Sequence, residues 1–146
     1  MFIGTYHINI DQKGRLNIPA KFREVLNSKY SNRLVLARFD NCIVAYPTEE
    51  WLVLEEKTKS LPTMKKNVRT FMRLLYSGAA ECSLDKQGRI LIPPSLRNSI
   101  SLDGEVVVVG ILNKIEIWNK EMWGSFLEES KEKFEDIAEE LSELGF

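Results

Sequence analysis

Residues 10–23 read Ile-Asp-Gln-Lys-Gly-Arg-Leu-Asn-Ile-Pro-Ala-Lys-Phe-Arg, and residues 84–97 read Leu-Asp-Lys-Gln-Gly-Arg-Ile-Leu-Ile-Pro-Pro-Ser-Leu-Arg. Aligned 74 positions apart, Asp11/Asp85, Gly14/Gly88, Arg15/Arg89, Ile18/Ile92, Pro19/Pro93 and Arg23/Arg97 are identical. Ile10/Leu84, Leu16/Ile90 and Phe22/Leu96 keep their apolar type. The echo continues at an offset of 72, where Leu34-Val-Leu answers Val106-Val-Val, Tyr46 answers Trp118 and Trp51 answers Trp123. Self-similarity of this kind marks a tandem duplication of one small structural unit.

Each unit has a local logic. Thr5 to Ile10 is rich in β-branched and aromatic residues and predicts a strand. Asp11 to Gly14 is a turn signal, with glycine able to take a positive φ, and the strand resumes at Arg15. Pro19 ends it, and Ala20 to Ser28 runs at helical spacing through Phe22, Val25 and Leu26. Arg33 to Phe39 and Cys42 to Tyr46 flank Asp40-Asn41 as a hairpin, and Glu105 to Gly110 with Lys114 to Trp118 flank Ile111-Leu-Asn likewise.

Helices follow both hairpins. Thr48 is predicted to cap the first, with Glu49 and Glu50 favourable to its dipole, and Asn119 and Glu121 take those parts in the second unit. Ser60-Leu-Pro-Thr63 breaks the helix, and Thr63 is predicted to cap a new one from Met64 to about Tyr76, ended by Gly78. Its Val68, Phe71, Met72 and Leu75 stripe reads as core or subunit contact. A last helix is expected from about Glu121 to Leu144, with Leu127, Phe134, Ile137, Ala138, Leu141 and Leu144 on one side.

Composition narrows the function. The chain has 146 residues, 44% hydrophobic and 28% charged, which fits a globular protein able to bury a core without staples. No run of about 18 apolar residues and no basic leader followed by an apolar stretch is present, so the expectation is a cytoplasmic protein without a membrane span. Cys42 and Cys82 are far apart within apolar runs and His7 is the sole histidine, so no metal site is expected. No nucleophile is paired with a base, no phosphate loop appears, and an enzyme is not expected.

A net charge of −1 conceals a dipole. Residues 1–40 carry seven bases against three acids, residues 57–80 carry six bases and no acid, and residues 120–146 carry nine acids against three lysines. Local charge density governs counterion release, so the basic segments suggest a polyanion partner; solvated helix faces explain residues 57–80 equally well. Asp and Arg four apart across a glycine turn can pair and hold the turn. That lock needs no ligand, and on chemistry alone it is the favoured account; the alternative is that Lys13 and Arg15 project donors toward phosphates or guanine edges.

The tandem Asp-x-x-Gly-Arg-Φ-x-Ile-Pro elements (Φ, apolar), the Tyr6-His7 opening and the spacing of the copies resemble the MraZ family of the AbrB/MazE-type superfamily. The resemblance implies an α+β fold: two tandem swapped-hairpin β-barrel units forming an intramolecular pseudo-dimer, with peripheral helices. The units would be residues 1–60 and 79–146, joined by a linking helix over 61–78. It implies a sequence-specific DNA-binding transcriptional regulator, nucleoid-associated, without cofactor, acting on repeats upstream of its own division and cell-wall operon as a ring-shaped homo-oligomer. Mapped onto this sequence, Lys13, Arg15, Lys86 and Arg89 would contact double-stranded DNA, while Asp11, Gly14, Asp85 and Gly88 would lock the turns. The lysine moves within the turn, Gln12-Lys13 becoming Lys86-Gln87, so the copies need not touch DNA equally. A second hypothesis is an antitoxin-like module whose acidic terminal helix covers a toxin.

Overall fold

A computed structural model describes residues 1–146. The first strand, β1 (Phe2–Asn9), begins three residues before the expected Thr5 and reaches the Asp11–Gly14 turn. Beyond the turn lie β2 (Arg15–Asn17) and α1 (Ala20–Lys29), which starts directly after Pro19 and buries Phe22 and Leu26. β3 (Arg33–Phe39) and β4 (Cys42–Pro47) form the expected hairpin, followed by α2 (Thr48–Lys59) and α3 (Lys66–Gly78). The second copy repeats the order as β5 (Ala80–Ser83), β6 (Arg89–Leu91), α4 (Pro94–Ser99), β7 (Glu105–Leu112), β8 (Lys114–Asn119) and α5 (Lys120–Lys131), then α6 (Phe134–Ser142).

Strand pairing crosses between the copies. One antiparallel sheet runs β1-β7-β8-β4-β3-β5, and a separate two-stranded ribbon joins β2 to β6. β1 lies along β7 from Phe2↔Leu112 to Asn9↔Glu105, and β5 lies along β3 from Leu36↔Ala80 to Arg33↔Ser83. The first strand of each copy therefore completes the hairpin of the other, and β4 meets β8 at the sheet centre. Gly110 permits the β1–β7 approach, because a Cβ there would collide with the backbone of Phe2 and Ile3.

Alternation along the strands gives the sheet two buried faces. On one, Leu34, Leu36, Ile43, Ile115 and Ile117 pack against Leu16, Ile18, Phe22, Ile90, Ile92 and Leu96 from the ribbon, α1 and α4. On the other, Val35, Val44, Tyr46, Val107 and Trp118 meet Trp51 of α2 and Leu75 of α3, with Trp123 of α5 half-buried beside them. β4 is buried along its whole length, which accounts for its near-continuous apolar sequence.

Four expectations need correction. The β-barrel is not closed: the sheet is open, with β1 and β5 as free edges. Each copy holds too few strands to close on itself once its first strand has left for the other hairpin. Thr48 is not a cap, since Pro47 occupies that position and no side chain accepts from the first turn, whereas Asn119 Oδ1 does accept from Glu121 and Met122. Thr63 is not a cap either: α3 starts at Lys66 after Lys65, and the Thr63 carbonyl accepts from Arg69. The terminal helix is two helices, broken at Glu132-Lys133. Glu132 stands three or four residues from Glu128, Glu129, Glu135 and Asp136, and like charges at that spacing weaken a helix.

Both hairpins turn through a left-handed residue, Asp40 at φ 52° and Leu112 at φ 59°. Asp tolerates that conformation; a leucine there costs on the order of 1–2 kcal/mol. Leu112 is 63% exposed, so its side chain repays little of this by burial. Leu112→Asn is expected to raise stability by about 1 kcal/mol, read as a rise of about 2–4 °C in thermal midpoint.

Candidate nucleic-acid interface

The two repeated turns are built alike. Asp11 Oδ1 accepts from the backbone N–H of Lys13 at 3.0 Å and of Arg15 at 2.8 Å, while Oδ2 accepts from Arg15 Nε at 2.6 Å. In the second copy, Asp85 Oδ1 accepts from Gln87 N and Arg89 N, each at 2.9 Å, and Oδ2 accepts from Arg89 Nε at 2.9 Å. Gly14 and Gly88 close the turns at φ 88° and 77°, conformations that other residues rarely adopt. Both carboxyls are held below their ordinary value of 3.8, first by the backbone N–H of the following arginine.

Each turn is then capped by the opposite copy. Ile18 N–H donates to the Gly88 carbonyl at 3.0 Å, and Ile92 N–H donates to that of Gly14 at 2.9 Å. Arg97 lies over Gly14 and Arg23 over Gly88, so closely that a Cβ on either glycine would strike the guanidinium. The same arginines donate to main-chain carbonyls, Arg23 Nη1 to Ile18 at 3.1 Å and Arg97 Nε to Ile92 at 2.9 Å. The sequence leaves Arg23 and Arg97 open between helix-surface charges and interface partners, although their identity at the 74-residue offset is a signal of a shared place in the structure.

The ribbon register is Arg15↔Leu91, Leu16↔Ile90 and Asn17↔Arg89. Leu16 and Ile90 are buried, so Arg15, Asn17, Arg89 and Leu91 share the outward face. The turns sit at opposite ends of this antiparallel ribbon, with Lys13 exposed at one and Lys86 at the other. Arg15 and Arg89, 36% and 26% exposed, use Nε for the aspartate and make no other side-chain hydrogen bond. Their paired Nη groups remain free, the edge that grips a phosphate or guanine O6/N7 with two donors. All four candidate contact residues are thus borne by one ribbon and its two end turns.

Burial drives the Cys42 thiol up to about 12 and that of Cys82 up to about 11, so neither is ionised near neutrality. No three His, Cys, Asp or Glu side chains cluster to hold a metal ion. His7 Nδ1 faces Glu105 at 3.8 Å on the exposed side of β1.

A family model described as "MraZ protein, putative antitoxin-like" matches the chain twice, over residues 1–74 and 75–144. A curated protein of Halothermothrix orenii, named "Transcriptional regulator MraZ", is 47% identical over 145 residues, spanning 99% of each chain. The chain belongs to the MraZ family. The two MraZ matches divide within α3, which therefore separates the repeats while Leu75 roots it in the common core. The paired turns described above are the parts of the two MraZ repeats most alike in sequence.

Because the Asp11 and Asp85 values are lowered by folding, their contribution to stability is present above the ordinary carboxylate value. It is lost as pH falls through the lowered folded values. The Asp11→Asn/Asp85→Asn variant is expected to be less stable than the parent at pH 7. The gap should narrow below about pH 4, measured by urea unfolding across a pH series.

Proposed function

We propose that this chain is a sequence-specific DNA-binding transcriptional regulator acting on repeats upstream of its own operon, in the division and cell-wall cluster. The observation that carries the proposal is the pair of aspartate-locked turns, which leave the Nη edges of Arg15 and Arg89 free on one face. An antiparallel two-stranded ribbon is a shape that the DNA major groove admits. The relative named a transcriptional regulator supports the same assignment. In this proposal Lys13 and Lys86 bind phosphates, Asp11, Gly14, Asp85 and Gly88 hold the turns, and no cofactor takes part.

The crossed pairing of β1 with β7 and β5 with β3 supports a swapped-hairpin pseudo-dimer within one chain. The proposed units are residues 1–60 and 79–146 around a linking helix. No helix is long and apolar enough to cross a membrane, and the proposed location is the cytoplasm, on the nucleoid.

Self-assembly into a ring has its own support. α3 carries Lys66, Arg69 and Arg73 without an acid and exposes Phe71 and Leu74 beside Phe39 and Arg38. α6 carries Glu135, Asp136, Glu139 and Glu140 without a base and exposes Phe134, Ile137 and Leu141. A contact from α6 of one copy to α3 of the next is heterologous and closes into a ring when the rotation permits. Several subunits then meet several DNA repeats, and avidity offsets weak individual contacts.

The exposed α6 and the words "putative antitoxin-like" favour one alternative, a module that binds a toxin. A small protein co-purifying stoichiometrically through α6 would support that alternative.

Two measurements test the proposal. Binding to the fragment upstream of the gene, beside a scrambled fragment over a salt series, is expected to be specific. Arg15→Ala and Arg89→Ala are each expected to lose roughly 1–3 kcal/mol per direct base contact while remaining folded. Sedimentation of Ile137→Asp/Leu141→Asp is expected to show smaller assemblies than the parent, and unchanged mass would reject the helix contact.

A further inference from the structure

We propose that Asn17 and Leu91 set the base preference of the ribbon, Asn17 through an adenine edge and Leu91 through a thymine methyl group. The inference rests on DNA binding by the ribbon face. The register pairs Arg15 with Leu91 and Asn17 with Arg89, so each cross-strand pair sets a guanidinium beside an uncharged side chain. The two arginines are equivalent under the repeat and are held by equivalent aspartates, so they present the same donors from both strands. Asn17 and Leu91 occupy equivalent positions in the two copies and differ in chemistry.

Asn17 is exposed, and its amide makes no hydrogen bond to the protein, leaving both a donor and an acceptor free. That pair matches adenine N6 and N7 in the major groove, as an apolar group matches the thymine C5 methyl. Leu91 is 55% exposed on this otherwise polar face, between the turn arginine of the other strand and solvent. The turn lysines are less suited to discrimination, because an exposed ammonium on a flexible stem serves phosphates, which carry no sequence information directly.

Spacing supports the assignment. Outward residues on one strand recur every two positions, about 6.8 Å, which equals roughly two base-pair steps of about 3.4 Å. Arg15 with Asn17, and Arg89 with Leu91, thus each address bases two steps apart. One chain reads only a few base pairs, and its two strands ask for different ones. The ribbon has a polarity on DNA that its shared arginines lack.

The test uses the full-length protein and the fragment upstream of its gene. Affinity is measured for every single-base substitution and for each thymine replaced by uracil, which deletes only the methyl group. The parent is expected to discriminate about 5- to 150-fold at one adenine and to lose about 4-fold at one uracil. Asn17→Ala should abolish the first effect alone and Leu91→Ala the second alone, with thermal midpoints unchanged because both side chains are exposed. Profiles for both variants identical to the parent's would overturn the inference while leaving DNA recognition by Arg15 and Arg89 intact. Equal parental binding to native and scrambled fragments would instead overturn the reading of the site on which the inference rests.

Discussion

The site depends on a reciprocal closure, in which the carbonyl of each turn glycine is bound by the N–H of the isoleucine before the other copy's proline. Aspartate oxygens have already taken the N–H groups inside each turn, and the glycine carbonyl is what remains for a neighbour. A hydrogen bond at such a place is costly to leave unmade, because both glycines are buried beneath the covering arginines. Arg23 and Arg97 add a second tie across the same junction. Each copy locks its own turn and caps that of the other, so the site joins the two repeats rather than standing twice.

The parts legible in the sequence were those set by short-range chemistry. The Asp-x-x-Gly-Arg turn, both hairpins and the Asn119 cap follow from residues within a few positions of one another, and the structure contains them. Strand partners were harder, since β1 and β7 are about a hundred residues apart and alternation says which face is buried, not which strand lies alongside. The resemblance supplied the idea of an exchange between units, and the closed barrel that came with it does not match the open sheet. Thr48 and Thr63 had the right residue type for caps, but at Thr48 the strand runs on through Pro47 and takes the cap position.

Arg23 and Arg97 illustrate a different limit. The sequence leaves them equally readable as helix-surface charges or as interface partners. Their actual partners are a glycine with no side chain and a main-chain carbonyl, neither of which leaves a charge signature in a sequence. Repetition of the residue was informative where its chemistry was not. The same holds for Asn17 and Leu91 in reverse, where failure to repeat at an outward ribbon position marks a difference between the two strands.

A net charge of −1 is an average over surfaces of unlike charge. The ribbon packs on one face of the sheet, while α2, α3 and α5 pack on the other. The basic turn residues Lys13 and Lys86 are exposed at the two ends of the ribbon, and their charge acts locally. The acids of α6, Glu135, Asp136, Glu139 and Glu140, form no ion pair with Lys13 or Lys86, so the net value of the chain does not describe the charge at either turn.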